Sequence, residues 1–384
     1  MQENLINKRN SGIDVLRGIA VISVIFLHLN IQVPFSDTYI GSVMPQMLYK
    51  LFFWSGYYGI CMFFVVSGFL ITTTSLTRWT ALPKVSLSGF YTMRFARIMP
   101  LLAGLLLILS ILHLTGITGF VINPERTTLG RALFAATTFH INWLEMKVGF
   151  LPGPWDILWT LSIEEVFYLF FPVVCFLCRK EWHFVALVSA FLVISPIART
   201  LWYQGNGLGD KNNFAYLDAI SLGCMAALVA KRIDVRKWAL NAFYIAGWGL
   251  IVFILLFRRT ANQWHLIATG LNVTVLAIGT ALVLVSMQKH FVSGRQKPSL
   301  LTAGLRFFGR NSYEVYLTHM FVVILLVNAF RLSELSGEWT WALYISALTT
   351  SALLGDIVAR YFSNPINNFI RQRYKPQPVK ILKE

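Results

Sequence analysis

Residues 13–29 read IDVLRGIAVISVIFLHL, an apolar run that contains only three ionisable side chains, Asp14, Arg17 and His28. About 20 consecutive apolar residues are enough to cross a bilayer as a helix. The run continues to position 33, which is too long for the core of a signal peptide, and no small-residue cleavage site follows it. The sequence therefore predicts a first membrane-spanning helix over 13–33 that is not removed.

The composition extends this interpretation to the whole chain. Of its 384 residues, 56% are hydrophobic and 13% are charged, and the mean hydropathy is +0.61. A soluble domain carries roughly 25% charged residues. These values predict an all-α polytopic membrane protein, with residues 1–384 forming one integral membrane domain. The predicted spans are 13–33, 51–74, 98–119, 157–178, 183–202, 213–230, 238–257, 264–287, 311–330 and 340–362.

A shorter apolar stretch, 129–143, is ambiguous by length. Basic loops stay on the cytoplasmic side of a membrane protein. If 129–143 does not span, most of the 33 lysines and arginines fall on one side, whereas a span there would move the richest basic loops outside. We therefore expect ten helices with both termini cytoplasmic and a basic tail over 364–384. The outer loop 120–156 should carry a half-buried helix, with Trp143 and Trp155 at the membrane interface.

Two features that could suggest other classes of protein have simpler explanations. The net charge of +16 comes from basic residues in short loops between apolar runs, so it does not indicate nucleic-acid binding. Cys175 and Cys178 form a CxxC pair, but no second pair of Cys or His stands near it in the sequence. The sequence therefore predicts neither a disulfide nor a metal site.

Ionisable groups inside a span are costly and often functional. Arg17 and His28 are eleven residues apart, which places them on one helix face about 16 Å apart along the axis. Asp14 shares that face, three residues before Arg17. The stripe runs from the cytoplasmic edge towards the bilayer middle, where His28 would suit proton transfer because histidine titrates near neutral pH. A structural His28, hydrogen-bonded to a neighbouring helix, fits the pattern equally well.

The fourth predicted span places two adjacent carboxylates, Glu164 and Glu165, in an apolar run. A buried carboxylate without a partner tends to take up a proton, so a charged Glu164 needs a nearby His or Arg. A structural hydrogen bond between helices is the alternative role.

Two further spans carry polar or small residues. In the ninth span, Ser312, Tyr316 and His319 follow the i, i+4, i+7 spacing of one helix face, which fits either a catalytic or a structural stripe. In the second span, Ser67 and Gly68 are small residues that favour close helix packing. No GxSxG motif surrounds Ser67, so a serine nucleophile is not indicated.

Arg94 and Arg97 stand one helical turn apart, just before the third predicted span. Guanidinium groups bind phosphates through paired hydrogen bonds. The start of a helix adds a favourable field for anions. The pair therefore suggests a phosphate site at the inner face, with ordinary positive-inside anchoring as the alternative.

Taken in order, these segments resemble the membrane-bound acyltransferase 3 family, whose bacterial members acylate sugars of surface and exported glycans. The resemblance covers residues 12 to about 320, and each motif is weak when taken alone. The matching segments are LRGIA at 16–20 with His28, FFVVSGF at 63–69, RFARIMP at 94–100, WTLSIEEVFYLFFP at 159–172 and SYEVYLTH at 312–319.

The resemblance implies an acyl-CoA donor bound from the cytoplasm, most simply acetyl-CoA, and no permanently bound cofactor. It implies a carbohydrate acceptor, lipid-linked or exported, and a place in the bacterial inner membrane. His28 would be the catalytic histidine with Arg17 as its companion. Glu164 would be the motif carboxylate, and Tyr316 and His319 would complete the ninth-span motif. Arg94 and Arg97 would contact the donor phosphates.

The chain departs from the family pattern at four positions. Thr160 stands where serine is common, Val166 where glutamine is common, Thr318 where tryptophan is frequent and Val15 where glycine is frequent. None of these changes removes an ionisable group, so we expect the same activity. The pocket that binds the acceptor could differ from that of other family members. Many relatives also carry a periplasmic hydrolase-like domain. We expect this chain to act alone or with a separate partner.

Acyl transfer to a hydroxyl needs a base, a donor held close and a stabilised oxyanion. We expect His28 to be the base, oriented by Glu164. His319, Tyr316 or Arg17 could contact the oxyanion, and an acyl-histidine intermediate stays open. A transporter or flippase, or a membrane scaffold or sensor, would also carry charges inside its spans. The acceptor itself is not readable from the sequence.

Overall fold

The computed structural model describes residues 9–202, 208–294 and 299–373, which are helical throughout apart from turns and loops. Within these ranges, ten helices are long and apolar enough to cross a membrane, as predicted. The predicted contributions of Lys8, Arg295 and Lys297 to the inner charge, and the tail beyond Arg373, lie outside the described residues.

The helix bounds define the labels used below. The α-helices are α1 Ser11–Gln32, α2 Tyr39–Val43, α3 Gln46–Phe53, α4 Gly56–Trp79, α5 Leu87–Leu114, α6 Leu129–Thr137, α7 Ile141–Val148, α8 Gly153–Asp156, α9 Leu158–Leu177, α10 Glu181–Leu201, α11 Leu217–Arg232, α12 Lys237–Leu256, α13 Arg258–Gln263, α14 Leu271–Val292, α15 Ala303–Arg310, α16 Ser312–Leu332, α17 Thr340–Val358 and α18 Asn364–Arg373, and a π-helical turn, Ala359–Ser363, joins the last two.

Both ends of the described chain lie on the same face of the bundle, here called the N-terminal face. Arg9 and Arg371 line one cavity there. Arg9 also donates to the carbonyl of Gly309 at 3.3 Å, next to the start of α16. An even number of crossings explains this return of the chain to its starting face.

Three helices begin five or more residues away from the predicted start, each for a local reason. The first part of the second predicted span, 51–74, belongs to the separate helix α3, so α4 begins only at Gly56. Helix α5 begins at Leu87 instead of 98 because Ser86 caps it, accepting from the Gly89 amide at 3.2 Å. Helix α14 begins at Leu271 instead of 264 because Gly270, at φ +69°, ends the preceding turn.

The segment 120–156 does not cross the bundle, which confirms the prediction from charge. It forms the short helices α6, α7 and α8. The expectation that Trp155 lies at the membrane interface is wrong, because its side chain is 0% exposed and its indole donates to the carbonyl of Phe120 at 3.3 Å. Trp143 is half-buried against the edge of Trp202. The loop therefore folds into the bundle instead of lying across it.

Helices α4 and α14 are the most deeply buried of the spans, with 72% of the apolar stretch of each covered by protein, whereas the same fraction for α12 is 22%. Small residues bring α4 and α11 together. A β-carbon at Gly68 would lie 2.0 Å from the carbonyl oxygen of Ile220, and one at Gly223 would lie 2.0 Å from that of Val65. The close packing predicted at Gly68 is confirmed, because any larger side chain would force these two backbones apart.

Candidate active site

A cavity of about 730 Å³ opens on the N-terminal face between α1, α4, α5, α9, α16 and α18. This size is typical of sites that hold a drug-sized or cofactor-sized ligand. Arginines outnumber carboxylates on its wall, so the cavity favours anions. Among the described residues, the arginines are Arg9, Arg17, Arg78, Arg94, Arg97, Arg310 and Arg371, and the carboxylates are Asp14, Glu164 and Glu314.

Arg17 projects from α1 onto the cavity wall. The predicted neighbour Asp14 forms an ion pair with Arg9 at 2.7 Å instead. No residue in the described part of the chain makes a hydrogen bond or ion pair with Arg17. A guanidinium in this position can bind an incoming anion without first giving up a protein partner.

Arg94 and Arg97 have different surroundings although they are one turn apart. The Arg94 guanidinium lies 4.4 Å from the centre of the Tyr168 ring, and no described carboxylate pairs with it. Arg97 forms an ion pair with Glu314 at 2.9 Å, and the Glu314 side chain is 1% exposed. Arg94 is therefore open to a ligand, whereas Arg97 is held by the protein.

The helix-terminus argument made for this arginine pair is wrong. Helix α5 begins at Leu87, so Arg94 and Arg97 lie two to three turns inside it. The field of a helix end fades within its first turn. The positive charge of the cavity comes from side chains alone.

Glu164 also lies on the cavity wall. It accepts a long hydrogen bond of 3.5 Å from the hydroxyl of Tyr168, which in turn contacts the hydroxyl of Ser67. Across the described residues, no hydrogen bond or ion pair joins Glu164 to His28. The two groups that were expected to pair therefore belong to different surroundings, because Glu164 faces the arginine-lined cavity beside Arg94.

The far end of the cavity changes from charged to apolar. Tyr316 closes this end together with Thr160, whose hydroxyl donates to the Tyr316 oxygen at 2.9 Å. The Tyr316 hydroxyl donates to the carbonyl of Ile157 at 3.1 Å. Ser312, one turn before Tyr316, lines the same wall and is 1% exposed. The apolar residues at this end are Ile60, Phe63, Phe64, Leu161 and Leu317.

His28 and His319 meet directly beyond Tyr316. Their ring centroids are 5.2 Å apart, and the His319 ring is 5.8 Å from that of Tyr316. His28 is four residues from the end of α1, about 6 Å along the axis, so it lies nearer the opposite face than the middle of its helix. The structure thus brings together two intramembrane histidines from helices that are almost 300 residues apart in the sequence.

The hydrogen bonding of His319 indicates its protonation pattern. Its side chain is 0% exposed and its Nδ1 lies 2.6 Å from the carbonyl oxygen of Tyr316. A carbonyl only accepts, so we infer that Nδ1 carries the proton and that Nε2 presents a lone pair. Nε2 has no hydrogen-bond partner among the described residues. An unpaired basic nitrogen beside His28 is therefore available to a reacting group.

A buried ion cluster that was not predicted lies on the opposite side of the histidine pair. Lys211 is paired with Glu145 at 2.6 Å and also with Asp156, and its ammonium lies 4.6 Å from the centre of the Phe150 ring. Burial would lower the pKa of Lys211, but the two carboxylates outweigh burial and raise it. The charges of Asp156 and Lys211 both act on His28.

Sequence reasoning missed this cluster because its members sit in the polar outer loops, where charged residues are ordinary. The polar stripe predicted on α16 also did not include Glu314, which pairs with Arg97. The only available signal was the number of carboxylates in the segment 141–156, and spacing alone could not show that Lys211 folds onto them.

A second buried network lies away from the cavity. Arg199, which is 3% exposed, binds both carboxylate oxygens of Asp218, at 3.0 and 2.8 Å, and the hydroxyl of Thr274 at 2.8 Å. The network joins α10, α11 and α14. The charged groups of this network all have hydrogen-bond partners, and none of its residues lines the cavity. We therefore interpret it as a structural contact that holds the three helices together.

The family comparison agrees with the motif resemblance. The family model described as an acyltransferase domain, acyltransferase 3, matches residues 10–360. The O-acetyltransferase OatA of Staphylococcus aureus strain NCTC 8325 is 27% identical over 383 residues, which cover 92% of this chain and 57% of the relative. A putative O-acetyltransferase of strain COL, SACOL0978, is 24% identical over 375 residues, with 92% and 56% covered.

The chain thus spans somewhat more than half the length of these curated relatives. No solved structure matches it significantly.

Proposed function

The chain belongs to the acyltransferase 3 family, and from this membership we propose that it moves an acyl group, acetyl in the first instance, from a CoA thioester to a hydroxyl of a carbohydrate acceptor. The acceptor class, a surface or exported glycan, is taken from the family resemblance, and the names of the relatives support an O-acetyl group as the one transferred. The membrane domain itself is the catalytic unit in this proposal. The donor is a substrate, and no permanently bound cofactor is needed.

One observation carries the proposal: a cavity with an arginine-rich mouth ends at Tyr316, whose ring packs beside one of two adjoining buried histidines. Seven arginines face three carboxylates on its wall, which suits the several phosphates of CoA. Five of these arginines, Arg17, Arg78, Arg94, Arg310 and Arg371, have no ion pair with a described carboxylate. Of the five, we expect Arg17 and Arg94 to take a phosphate, because their charges act on Glu164 inside the cavity. The deep end of the cavity stops at Tyr316, next to His319.

In the proposed reaction, the acceptor oxygen attacks the carbonyl carbon of the thioester. His28 takes the hydroxyl proton, a new C–O bond forms and the C–S bond breaks. The imidazolium then returns the proton to the leaving thiolate, so that CoA leaves as its thiol. His319 holds its Nε2 lone pair beside His28, and it replaces Glu164 as the group that we expect to assist the base.

Glu164 has a different role in this scheme. It lies by Arg94 and Tyr168 on the donor wall, so it keeps the local charge in balance and limits how many anionic groups the cavity holds. Two hydrogen bonds fix the Tyr316 hydroxyl. The Tyr316 ring is therefore held in place between the end of the cavity and His319.

The distribution of basic loops favours a cytoplasmic N-terminal face, and the family resemblance supports a bacterial inner membrane. The donor would then enter from the cytoplasm, and the acceptor would approach from the opposite face, where the Lys211 cluster lies. Labelling of single cysteines introduced at Asp234 and at Glu338, in a background without the four native cysteines, tests this orientation. Both positions are exposed, and only Asp234, in a predicted inner loop, should be protected from an impermeant reagent in intact cells.

The direct test uses the purified protein in nanodiscs with acetyl-CoA labelled on the acetyl group. Membrane glycan extracts serve as acceptors, and released CoA thiol is measured in parallel. We expect label to move to an extract with the wild type but not with His28→Ala. A wild-type protein that neither binds nor consumes the thioester would instead support a transporter or flippase.

A further inference from the structure

We propose that the apolar end of the cavity, walled by Ile60, Phe63, Phe64 and Leu317, is a subsite for the distal carbons of the donor acyl group and that it selects short chains. This inference rests on the proposed donor function and adds a substrate class to it. The proposed function gives no role to this part of the cavity, which is distinct from the arginine-lined mouth and from the histidine pair.

The change in polarity along the cavity predicts the orientation of the bound donor. Along α4, the lining runs from Arg78 at the mouth to Ile60 at the deep end, a distance of about 27 Å for 18 residues. Charged phosphates are favoured at the arginine end, and alkyl carbons are favoured at the end where the wall is apolar. The acyl group is the part of the donor farthest from the phosphates, so it meets the apolar wall.

The deep end is closed by side chains that are held in place. The Tyr316 hydroxyl is fixed by Thr160 and by the carbonyl of Ile157. The Phe63 ring packs edge-on against the Tyr316 ring, with 6.3 Å between the centroids. Behind it, Phe64 is 1% exposed and packs 4.9 Å from the Tyr216 ring. A wall whose side chains are fixed by neighbours cannot yield easily to a longer chain.

Phe63 is the wall residue with the most influence on chain length. It is only half-buried, so part of its ring faces the cavity, whereas the ring of Phe64 is almost entirely covered by protein. Removing the Phe63 ring would extend the apolar end of the cavity towards the Tyr316 ring. Each methylene in a hydrophobic pocket changes the specificity of an enzyme by about 10- to 200-fold.

The test compares full-length variants in nanodiscs with acetyl-, propionyl-, butyryl- and hexanoyl-CoA, and it follows CoA thiol release with one fixed acceptor extract. Phe63→Ala and Phe63→Leu enlarge the subsite by different amounts. Phe69→Leu is the matched control, because Phe69 lies on the same helix, is 0% exposed and does not line the cavity.

We expect the ratio of butyryl to acetyl turnover to rise at least about tenfold in Phe63→Ala, by a smaller factor in Phe63→Leu and not at all in Phe69→Leu. If Phe63→Ala does not fold, Phe63→Leu together with Ile60→Val gives the same comparison. An active wild type whose ratio is unchanged in the Phe63 variants, or whose rates fall equally for every chain length, overturns the subsite alone. A wild type that consumes none of the four thioesters overturns the donor function and the subsite with it.

Discussion

Arg94 and Arg97 differ in their partners, and this difference predicts that the same substitution will have two separate effects. Arg94 forms no hydrogen bond or ion pair with a described residue and lies over the rings of Phe90 and Tyr168, whereas Arg97 neutralises Glu314, which is 1% exposed. Arg94→Gln should therefore remove a ligand contact and leave the protein fold intact. Arg97→Gln should leave a carboxylate buried without its counter-charge.

The magnitudes follow from these two situations. A hydrogen bond to a charged group contributes about 1.5–3 kcal/mol. At about 1.4 kcal/mol per factor of ten, Arg94→Gln should weaken acetyl-CoA binding by roughly 10- to 100-fold. Breaking a buried ion pair costs about 3–5 kcal/mol. For Arg97→Gln we expect the low end, about 3 kcal/mol, because the Arg97 side chain keeps 27% exposure to solvent.

Two assays on nanodisc samples separate the effects: binding of labelled acetyl-CoA and the thermal midpoint of unfolding. Arg94→Gln should lose affinity at an unchanged midpoint, and Arg97→Gln should lose thermal stability. The double variant Arg97→Gln/Glu314→Gln is the control, because it removes both charges and should recover most of the lost stability. Wild-type donor affinity in Arg94→Gln, or an equal loss of stability in both single variants, would refute the reasoning.

Three further predictions concern the other buried groups. His319→Gln should lower turnover by about 100-fold or more while donor binding is retained, measured by thiol release and by labelled-donor binding, because the substitution removes the basic Nε2. Asp218→Asn should destabilise the fold by about 3 kcal/mol, measured as a lower unfolding midpoint at unchanged donor affinity, because Arg199 is left buried and unpaired. Lys211→Met should lower the midpoint at pH 7 and recover part of it at pH 5. Burial raises the pKa of Glu145, so without the ammonium this carboxyl takes up a proton as the pH falls and the buried charge disappears.

The membrane spans could be predicted because the bilayer imposes one simple requirement, a long apolar helix, on each of them. Two predictions about the loop 120–156 had different outcomes. The stretch 129–143 was assigned correctly from charge, since basic loops respond to the whole topology and not to local sequence. Trp155 was assigned wrongly, because the preference of tryptophan for the interface does not show whether a loop folds back into the bundle.

The sequence predicted several polar residues of the candidate site, but it did not predict which residues contact each other. Helical spacing identified Arg17, His28 and His319 as polar groups inside spans, and the structure brings the two histidines together. Which partner each group meets depends on the rotation and depth of its helix, and a single helix does not encode these. For this reason, Glu164 was expected at His28 but faces the donor wall, and the pairing of Glu314 with Arg97 went unpredicted.

The most direct test of the central claim is a single-turnover measurement with labelled acetyl-CoA, comparing wild type and His28→Ala in nanodiscs with a glycan extract. We expect both proteins to bind the donor with similar affinity, because the arginine-lined mouth is unchanged, and only the wild type to release CoA thiol and label the extract. Equal transfer by a folded His28→Ala protein would contradict the assignment of the histidine pair as the catalytic centre.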